Sequence, residues 1–110
     1  MAIQITCGQD CNKLPASYTS YVQASQLIKS STFKMHESVN TSKSSWVRGA
    51  DYYSCDGQEG YLIIKADDRD YIHQNVPIDT WNGFKKASSF GSYYNNFIKG
   101  NYRLTLKYQN

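Results

Sequence analysis

Long apolar runs are missing from this sequence of 110 residues. No stretch approaches the ~20 apolar residues that a membrane-spanning helix needs. The first six residues also lack the charged start and the apolar block of a signal peptide. We therefore expect one cytoplasmic domain that makes no contact with a membrane, because a chain of this length is the usual size of a single domain.

Cysteine and histidine are scarce, which limits metal and redox chemistry. Cys7, Cys11 and Cys55 are an odd set, and we expect reduced thiols rather than a disulfide framework. A zinc site would need Cys7 and Cys11 together with Cys55, His36 or His73, yet structural zinc sites usually show two tight ligand pairs. We expect no metal and no other cofactor.

Catalytic motifs are missing as well. The sequence has no phosphate-cradling glycine loop and no nucleophile elbow. Cys55 and His73 could act as nucleophile and base only if the fold brought them together. The carboxylates Asp67, Asp68 and Asp70 fit a solvated turn, because no bidentate Glu follows them at the spacing of a calcium loop. We therefore expect that the protein is not an enzyme.

Tyrosine, by contrast, is abundant, and positive charge is concentrated near the C-terminus. Ten Tyr stand beside four Phe and two Trp. Residues 1–43 carry a net charge of +2, residues 44–75 carry −3 and residues 76–110 carry +4. Such a dipolar charge distribution orients charged partners.

The spacing of apolar residues predicts an α+β fold. A short strand is expected at residues 3–5. A helix is expected over residues 15–31, with Pro15 in its first turn. Its apolar stripe consists of Tyr18, Tyr21, Val22, Ser25 and Ile28. Residues 30–45 are rich in Ser, Thr and Asn and give no clear pattern.

The C-terminal two-thirds predicts an antiparallel β-meander with two helices on one face. Strands are expected at residues 45–53, 61–65 and 70–73, and the alternating segment 103–108 extends them as a fourth. The Asp56-Gly57 turn separates the first two strands. Pro77 opens a helix that Asp79 can cap, and a second helix runs over residues 89–99 to Gly100. The predicted core contains Trp46, Leu62, Ile64, Tyr71, Val76, Trp81, Phe84, Phe90, Tyr94, Phe97 and Ile98, with the N-terminal helix on the other side or at an edge.

A set of residues between Ser44 and Tyr102 resembles the KTSC domain family. The matching residues, in order, are Ser44-Ser45, Tyr52, Leu62-Ile63-Ile64, Tyr71, Val76-Pro77, Trp81, Phe84, Ala87-Ser88-Ser89, Gly91, Tyr94-Asn95, Ile98 and Tyr102. The family occurs alone in bacteria and phages and at the end of some lysyl-tRNA synthetases, and RNA binding has been suggested for it. The resemblance implies a domain over residues 44–110, with residues 1–43 as an extension of the same globule that contains one helix. Where the family has an aromatic–x–aromatic pair, this sequence has Tyr71-Ile72-His73.

A basic and aromatic C-terminal third is typical of proteins that bind single-stranded nucleic acid, since cations neutralise phosphates and rings stack on bases. The predicted contact residues are Lys85, Lys86, Tyr93, Lys99, Tyr102, Arg103 and Lys107. The alternative is a protein-interaction module, for example a phage- or mobile-element-encoded inhibitor, because Tyr and Trp also suit protein interfaces. An RNA binder would use the basic C-terminal face, and an inhibitor that mimics nucleic acid would use the acidic hairpins. The protein is expected to be a monomer or a homodimer.

Overall fold

The computed structural model describes residues 9–107 and confirms an α+β fold. Its main elements are α1 (Tyr21–Ser30), β1 (Met35–Val39), β2 (Gly49–Ser54), β3 (Glu59–Lys65), β4 (Asp70–Pro77), α2 (Ile78–Lys86) and α3 (Phe90–Tyr93). A π-helical segment, Tyr94–Ile98, continues α3. The strand predicted at residues 3–5 lies outside the described residues. None of the helices within residues 9–107 is long and apolar enough to cross a membrane.

The four strands form one antiparallel sheet in the order β1-β2-β3-β4. Strand β1 lies in the Ser- and Thr-rich segment that gave no pattern, and it pairs with β2 from Met35↔Ser54 to Val39↔Ala50. The prediction that residues 103–108 form the fourth strand is wrong within the described residues. That segment makes only isolated bridges, from Arg103 to His73 and from Leu106 to Tyr18.

The turns follow the local chemistry of the sequence. Gly57 has a φ of 79°, as the Asp-Gly turn between β2 and β3 requires. Pro77 precedes the first residue of α2, as predicted, but Asp79 is not the cap. Pro77 itself occupies the cap position, without a side-chain hydrogen bond, and Asp79 lies in the first turn. A carboxylate there still favours the helix dipole.

Helices α2 and α3 cover one face of the sheet, which we call the helical face. An aromatic stack begins at Tyr52, whose ring lies 5.3 Å from that of Trp81. It continues through Phe84 to Phe90, with the last two ring centroids 5.0 Å apart. Leu62, Ile64, Val76, Tyr94 and Ile98 complete this buried cluster as predicted, whereas Trp46 and Tyr71 are only partly buried against it.

Phe97 was predicted to be a core residue, and this prediction is wrong. The backbone N–H of Lys99 donates to the Tyr94 carbonyl, five residues earlier, at 2.8 Å. A π-helical turn holds more residues than an α-helical turn, so side chains rotate away from their α-helical positions. Tyr94 and Ile98 stay buried, while Phe97 is turned outwards and is 54% exposed.

The other face of the sheet is covered by the N-terminal segment and α1, and we call it the N-terminal face. Tyr18, Ala24 and Ile28 pack on sheet residues there. The helix begins at Tyr21 rather than near Pro15, because the Ser20 hydroxyl caps it by accepting from the Gln23 N–H at 3.0 Å. The predicted apolar stripe is therefore partly wrong: Tyr18 is buried ahead of the helix, while Tyr21 and Val22 are 51% and 67% exposed.

A disulfide joins Cys11 to Cys55, which corrects the prediction of reduced thiols. The Cα atoms of the two residues are 5.8 Å apart although 44 positions separate them in the sequence. Backbone hydrogen bonds of Cys11 and Gln9 with Thr32 hold the N-terminal segment beside the β2–β3 turn. Sequence spacing could not show this approach, because it depends on how the segment packs across the sheet.

Candidate nucleic-acid interface

Helix α2 crosses the helical face and brings Lys85 to strand β1. The ammonium group of Lys85 donates to the Glu37 carboxylate at 2.7 Å, and the Trp81 indole N–H donates to the same oxygen at 2.8 Å. The hydrogen bond from Lys85 is the main reason that the pKa of Glu37 lies below its ordinary value. Lys85 is therefore engaged inside the domain, whereas its neighbour Lys86 is exposed and makes no ion pair with residues 9–107.

Tyr93 has a structural role. Its hydroxyl donates to the Thr80 carbonyl at 3.1 Å, and its ring lies 4.7 Å from that of Phe97. A Cβ atom on Gly83 would lie 2.2 Å from the Tyr93 hydroxyl, so the glycine makes room for this contact. Tyr102 is half-buried, and its carbonyl accepts from the Gln74 N–H at 3.0 Å.

The other three predicted cations, Lys99, Arg103 and Lys107, are exposed. Arg103 lies beside β4 through its bridge to His73, at the edge of the sheet opposite to Lys85. The backbone of Lys107 bonds to the Tyr18 carbonyl at 2.8 Å on the N-terminal face. Four strands at ~4.8 Å spacing separate the two edges by roughly 14 Å. The predicted residues thus do not form one compact patch.

The acidic middle of the chain is largely paired with cations from the same molecule. Asp67 contacts Arg48 at 2.7 Å and Asp70 contacts Lys29 at 3.0 Å. Further contacts join Asp68 to Arg69, and Asp51 to both His36 and Ser38. Asp56 accepts the backbone N–H groups of Gln58 and Glu59, which lower its pKa. Every ion pair among residues 9–107 includes a carboxylate from β1 or from residues 51–70.

The Tyr71–His73 pair does not form an exposed platform. Both side chains lie under Tyr94, with ring centroids 6.4 and 5.3 Å from its ring. His73 is only 6% exposed, and its Nε2 hydrogen-bonds to the Tyr94 hydroxyl at 3.0 Å. Burial lowers the pKa of His73 to about 4, although the nearby Tyr102 carbonyl opposes that change. Among residues 9–107, exposed aromatic rings lie elsewhere: Phe97 in the π-helical segment and Tyr21 on α1.

A groove with a volume of about 440 Å³ lies between the segment before β2 and the start of α3, and we call it the serine groove. Residues 43–46 form one wall, and residues 88–92 with Asn95 form the other. Hydroxyl and amide groups dominate the lining, Lys43 supplies the positive charge, and no carboxylate takes part. Sequence reasoning did not find this groove, although several of its residues carry the family resemblance, because its walls lie more than forty positions apart.

Among the described residues, the candidate zinc and catalytic groups do not come together as a free ligand set or a nucleophile–base pair. Asp10, Cys11 and Cys55 bring their potential ligand atoms within 4.8 Å of one another, but the two sulfurs form the disulfide. Cys55 is thereby unable to act as a thiolate towards His73, which is bonded to Tyr94 instead. Cys7 lies outside the described residues.

A four-stranded antiparallel sheet with the C-terminal helices on one face defines a small α+β domain. Residues 59–102 match the model of the KTSC domain family, which supports the resemblance seen in the sequence. The match runs from the start of β3 to Tyr102, and the bounds of 44–110 stay a prediction. No curated protein and no solved structure matches the chain.

Proposed function

We propose that this is a non-catalytic domain that binds single-stranded nucleic acid, RNA in the first place, with the C-terminal helices and the segment after them. Four cations in this region, Lys86, Lys99, Arg103 and Lys107, form no ion pair with residues 9–107. Cations without a partner in the same molecule are free to neutralise phosphates and release counterions.

The pairing of the carboxylates carries this proposal. A protein that mimics nucleic acid needs acidic groups that are open to a basic partner. Here three carboxylates of residues 67–70 form ion pairs with Arg48, Lys29 and Arg69. Since half of the six carboxylates of residues 44–75 are paired with Lys or Arg and the four C-terminal cations form no ion pair within residues 9–107, the exposed positive charge favours an anionic partner.

The exposed ring of Phe97 favours a single-stranded ligand over a duplex. Its ring is 54% exposed and is braced by Tyr93, so little side-chain freedom is lost when a base stacks on it. A stacked base contributes about 1–3 kcal/mol and is available only where the strand is unpaired. Lys99, two positions later in the chain, is also exposed.

The rest of the proposal concerns origin and location. A bacterial or phage origin agrees with the family, and a cytoplasmic location agrees with RNA as the ligand. The Cys11–Cys55 disulfide argues against the cytoplasm, because disulfides persist mainly in oxidising compartments. Titration of free thiols in protein taken directly from its cell decides between the cytoplasm and an oxidising compartment.

The second candidate function is a protein-interaction module, and the N-terminal face favours it. Tyr21 and Val22 are exposed on α1 and line a shallow cavity of about 410 Å³ together with Arg69 and Ile72. Exposed apolar side chains that sit together can mark a contact for a protein partner. The nucleic-acid experiment below separates the two candidates.

The test is a salt titration of binding to a fluorescent decamer of uridine. If Lys86, Lys99 and Arg103 each neutralise one phosphate, log affinity should fall against log salt with a slope of about −2, at about 0.7 for each contact. Lys99→Glu combined with Arg103→Glu should weaken binding and flatten the slope. Lys34→Glu, a reversal of an exposed lysine that precedes β1, is the matched control and should change both much less. If the decamer does not bind even at low salt, the protein-interaction module replaces this proposal.

A further inference from the structure

We propose that the serine groove is a phosphate-binding subsite, which holds one phosphodiester group of the bound strand. This inference deepens the proposed function and rests on it for the identity of the ligand. Its basis is the local arrangement of hydrogen-bond donors, which is independent of the exposed cations at the C-terminus.

Lys43 is fixed in position at one end of the groove. Its ammonium group donates to the Ala87 carbonyl at 2.9 Å and lies 4.6 Å from the centre of the Phe90 ring. An ammonium group has three N–H donors, so two of them remain after the bond to Ala87. Lys43 forms no ion pair with residues 9–107. The groove therefore contains an oriented cation whose charge is not cancelled.

Two serines on opposite walls are arranged as hydroxyl donors. The Ser44 oxygen accepts the backbone N–H of Val47 at 3.0 Å, and the Ser89 oxygen accepts that of Ser92 at 3.2 Å. Because these bonds use lone pairs of the oxygens, each O–H hydrogen stays available for a ligand. Neither hydroxyl donates to another group among residues 9–107, and both residues line the groove.

Trp46 adds a third kind of donor. Its indole nitrogen would lie 2.5 Å from a Cβ atom on Gly91, so the absence of a side chain at Gly91 leaves room for the indole there. Both residues line the groove, and the Trp46 indole N–H has no acceptor within residues 9–107. A site with a cation, hydroxyl and indole donors and no carboxylate suits a phosphate rather than a cation or an apolar group.

The two tryptophans provide an internal control for the experiment. The indole N–H of Trp81 is bonded to Glu37 and the Trp81 side chain is fully buried, whereas the indole N–H of Trp46 has no acceptor within residues 9–107. Two-dimensional ¹H–¹⁵N spectra of the full chain resolve both indole signals. They are recorded during separate titrations with inorganic phosphate, with uridine 5′-monophosphate and with a decamer of uridine.

The expected result is that the decamer shifts the Trp46 indole signal and leaves that of Trp81 in place. Lys43→Gln should weaken the decamer about tenfold, since a hydrogen bond to a charged group is lost. Lys34 lies at the opposite end of β1 from Lys43, so Lys34→Gln should leave the affinity unchanged. If inorganic phosphate or the mononucleotide shifts the Trp46 signal and the decamer does not, the groove is supported as a phosphate site and the nucleic-acid function is rejected.

The inference is overturned in two ways. In the first, the decamer binds with the expected salt dependence, but the Trp46 signal stays in place and Lys43→Gln has no effect. The proposed function then survives, and the groove is not part of it. If none of the three ligands moves the Trp46 signal, the groove does not bind phosphate.

Discussion

On the helical face, the sheet is covered by residues that follow it directly in the chain, since α2 begins immediately after β4. On the N-terminal face, the cover comes from both ends of the described chain: Tyr18, Ala24 and Ile28 from one end, and Leu104 with Leu106 from the other. The first face therefore closes through short connections, whereas the second needs distant segments to meet. We therefore expect the helical face to be robust and the N-terminal face to depend on individual contacts, such as the Cys11–Cys55 disulfide.

The largest expected effect separates two phenylalanines on the helical face. Phe84 is fully buried in the aromatic stack, while Phe97 is 54% exposed. Phe84→Ala should lower the free energy of unfolding by about 3–5 kcal/mol, because it leaves a cavity in the core. Phe97→Ala should lower it by less than about 1 kcal/mol. Urea unfolding of both variants measures the contrast, and equal losses would show that Phe97 belongs to the core after all.

The disulfide should matter most for the N-terminal face. The bond between Cys11 and Cys55 closes a loop across 44 positions, and the chain-entropy relation gives about 4 kcal/mol for a loop of that size. Replacing both cysteines by serine should lower the free energy of unfolding by a similar amount. Hydrogen exchange should quicken in α1 well before α2. Uniform loss of protection in both helices would contradict the division between the faces.

Acid should act on the helical face through His73. Its pKa falls from 6.5 to about 4 on folding because the ring is buried. Between those values the unfolded chain binds more protons, so stability is lost as the pH falls from 6.5 towards 4, by up to about 3 kcal/mol. His73→Phe should show a smaller loss over that range, measured by urea unfolding at several pH values. His36 is present in both proteins, so the difference reports His73; identical pH profiles would be inconsistent with a neutral, buried ring.

The smallest expected effect concerns one hydrogen bond on the N-terminal face. The hydroxyl groups of Tyr18 and Tyr61 are 2.7 Å apart. Tyr18→Phe should lower the free energy of unfolding by about 1 kcal/mol, the usual net value of such a bond. Thermal unfolding against the control Tyr21→Phe, whose side chain is exposed, measures it. An effect as small as that of the control would leave packing alone to hold Tyr18.

Sequence patterns predicted the elements whose burial is periodic and local. Strand β3 is recognisable because Leu62, Ile63 and Ile64 form a continuous apolar run that is buried on both faces of the sheet. Pro77 and Gly100 mark helix boundaries through their backbone preferences. Strand β1 was missed because an edge strand needs few apolar residues: Met35 and Val39 are its only ones. Phe97 was misplaced because α-helical spacing does not apply to a π-helical turn.

The candidate site was harder to predict than the fold. Composition identified the excess of cations near the C-terminus, but not which of them are engaged within the molecule. Lys85 binds Glu37 from a distant strand, while Lys43, outside the predicted set, enters the serine groove. Such long-range contacts decide which charges remain free, and they leave no mark on local spacing.

The most direct test of nucleic-acid binding is to purify the tagged, full-length protein from its native cell and identify what co-elutes. We expect RNA that is released by salt and is strongly reduced when Lys99→Glu and Arg103→Glu are combined, while Lys34→Glu retains it. Circular dichroism should show that both variants are folded. A stoichiometric protein partner without RNA, retained by the charge-reversed variant, would contradict the account.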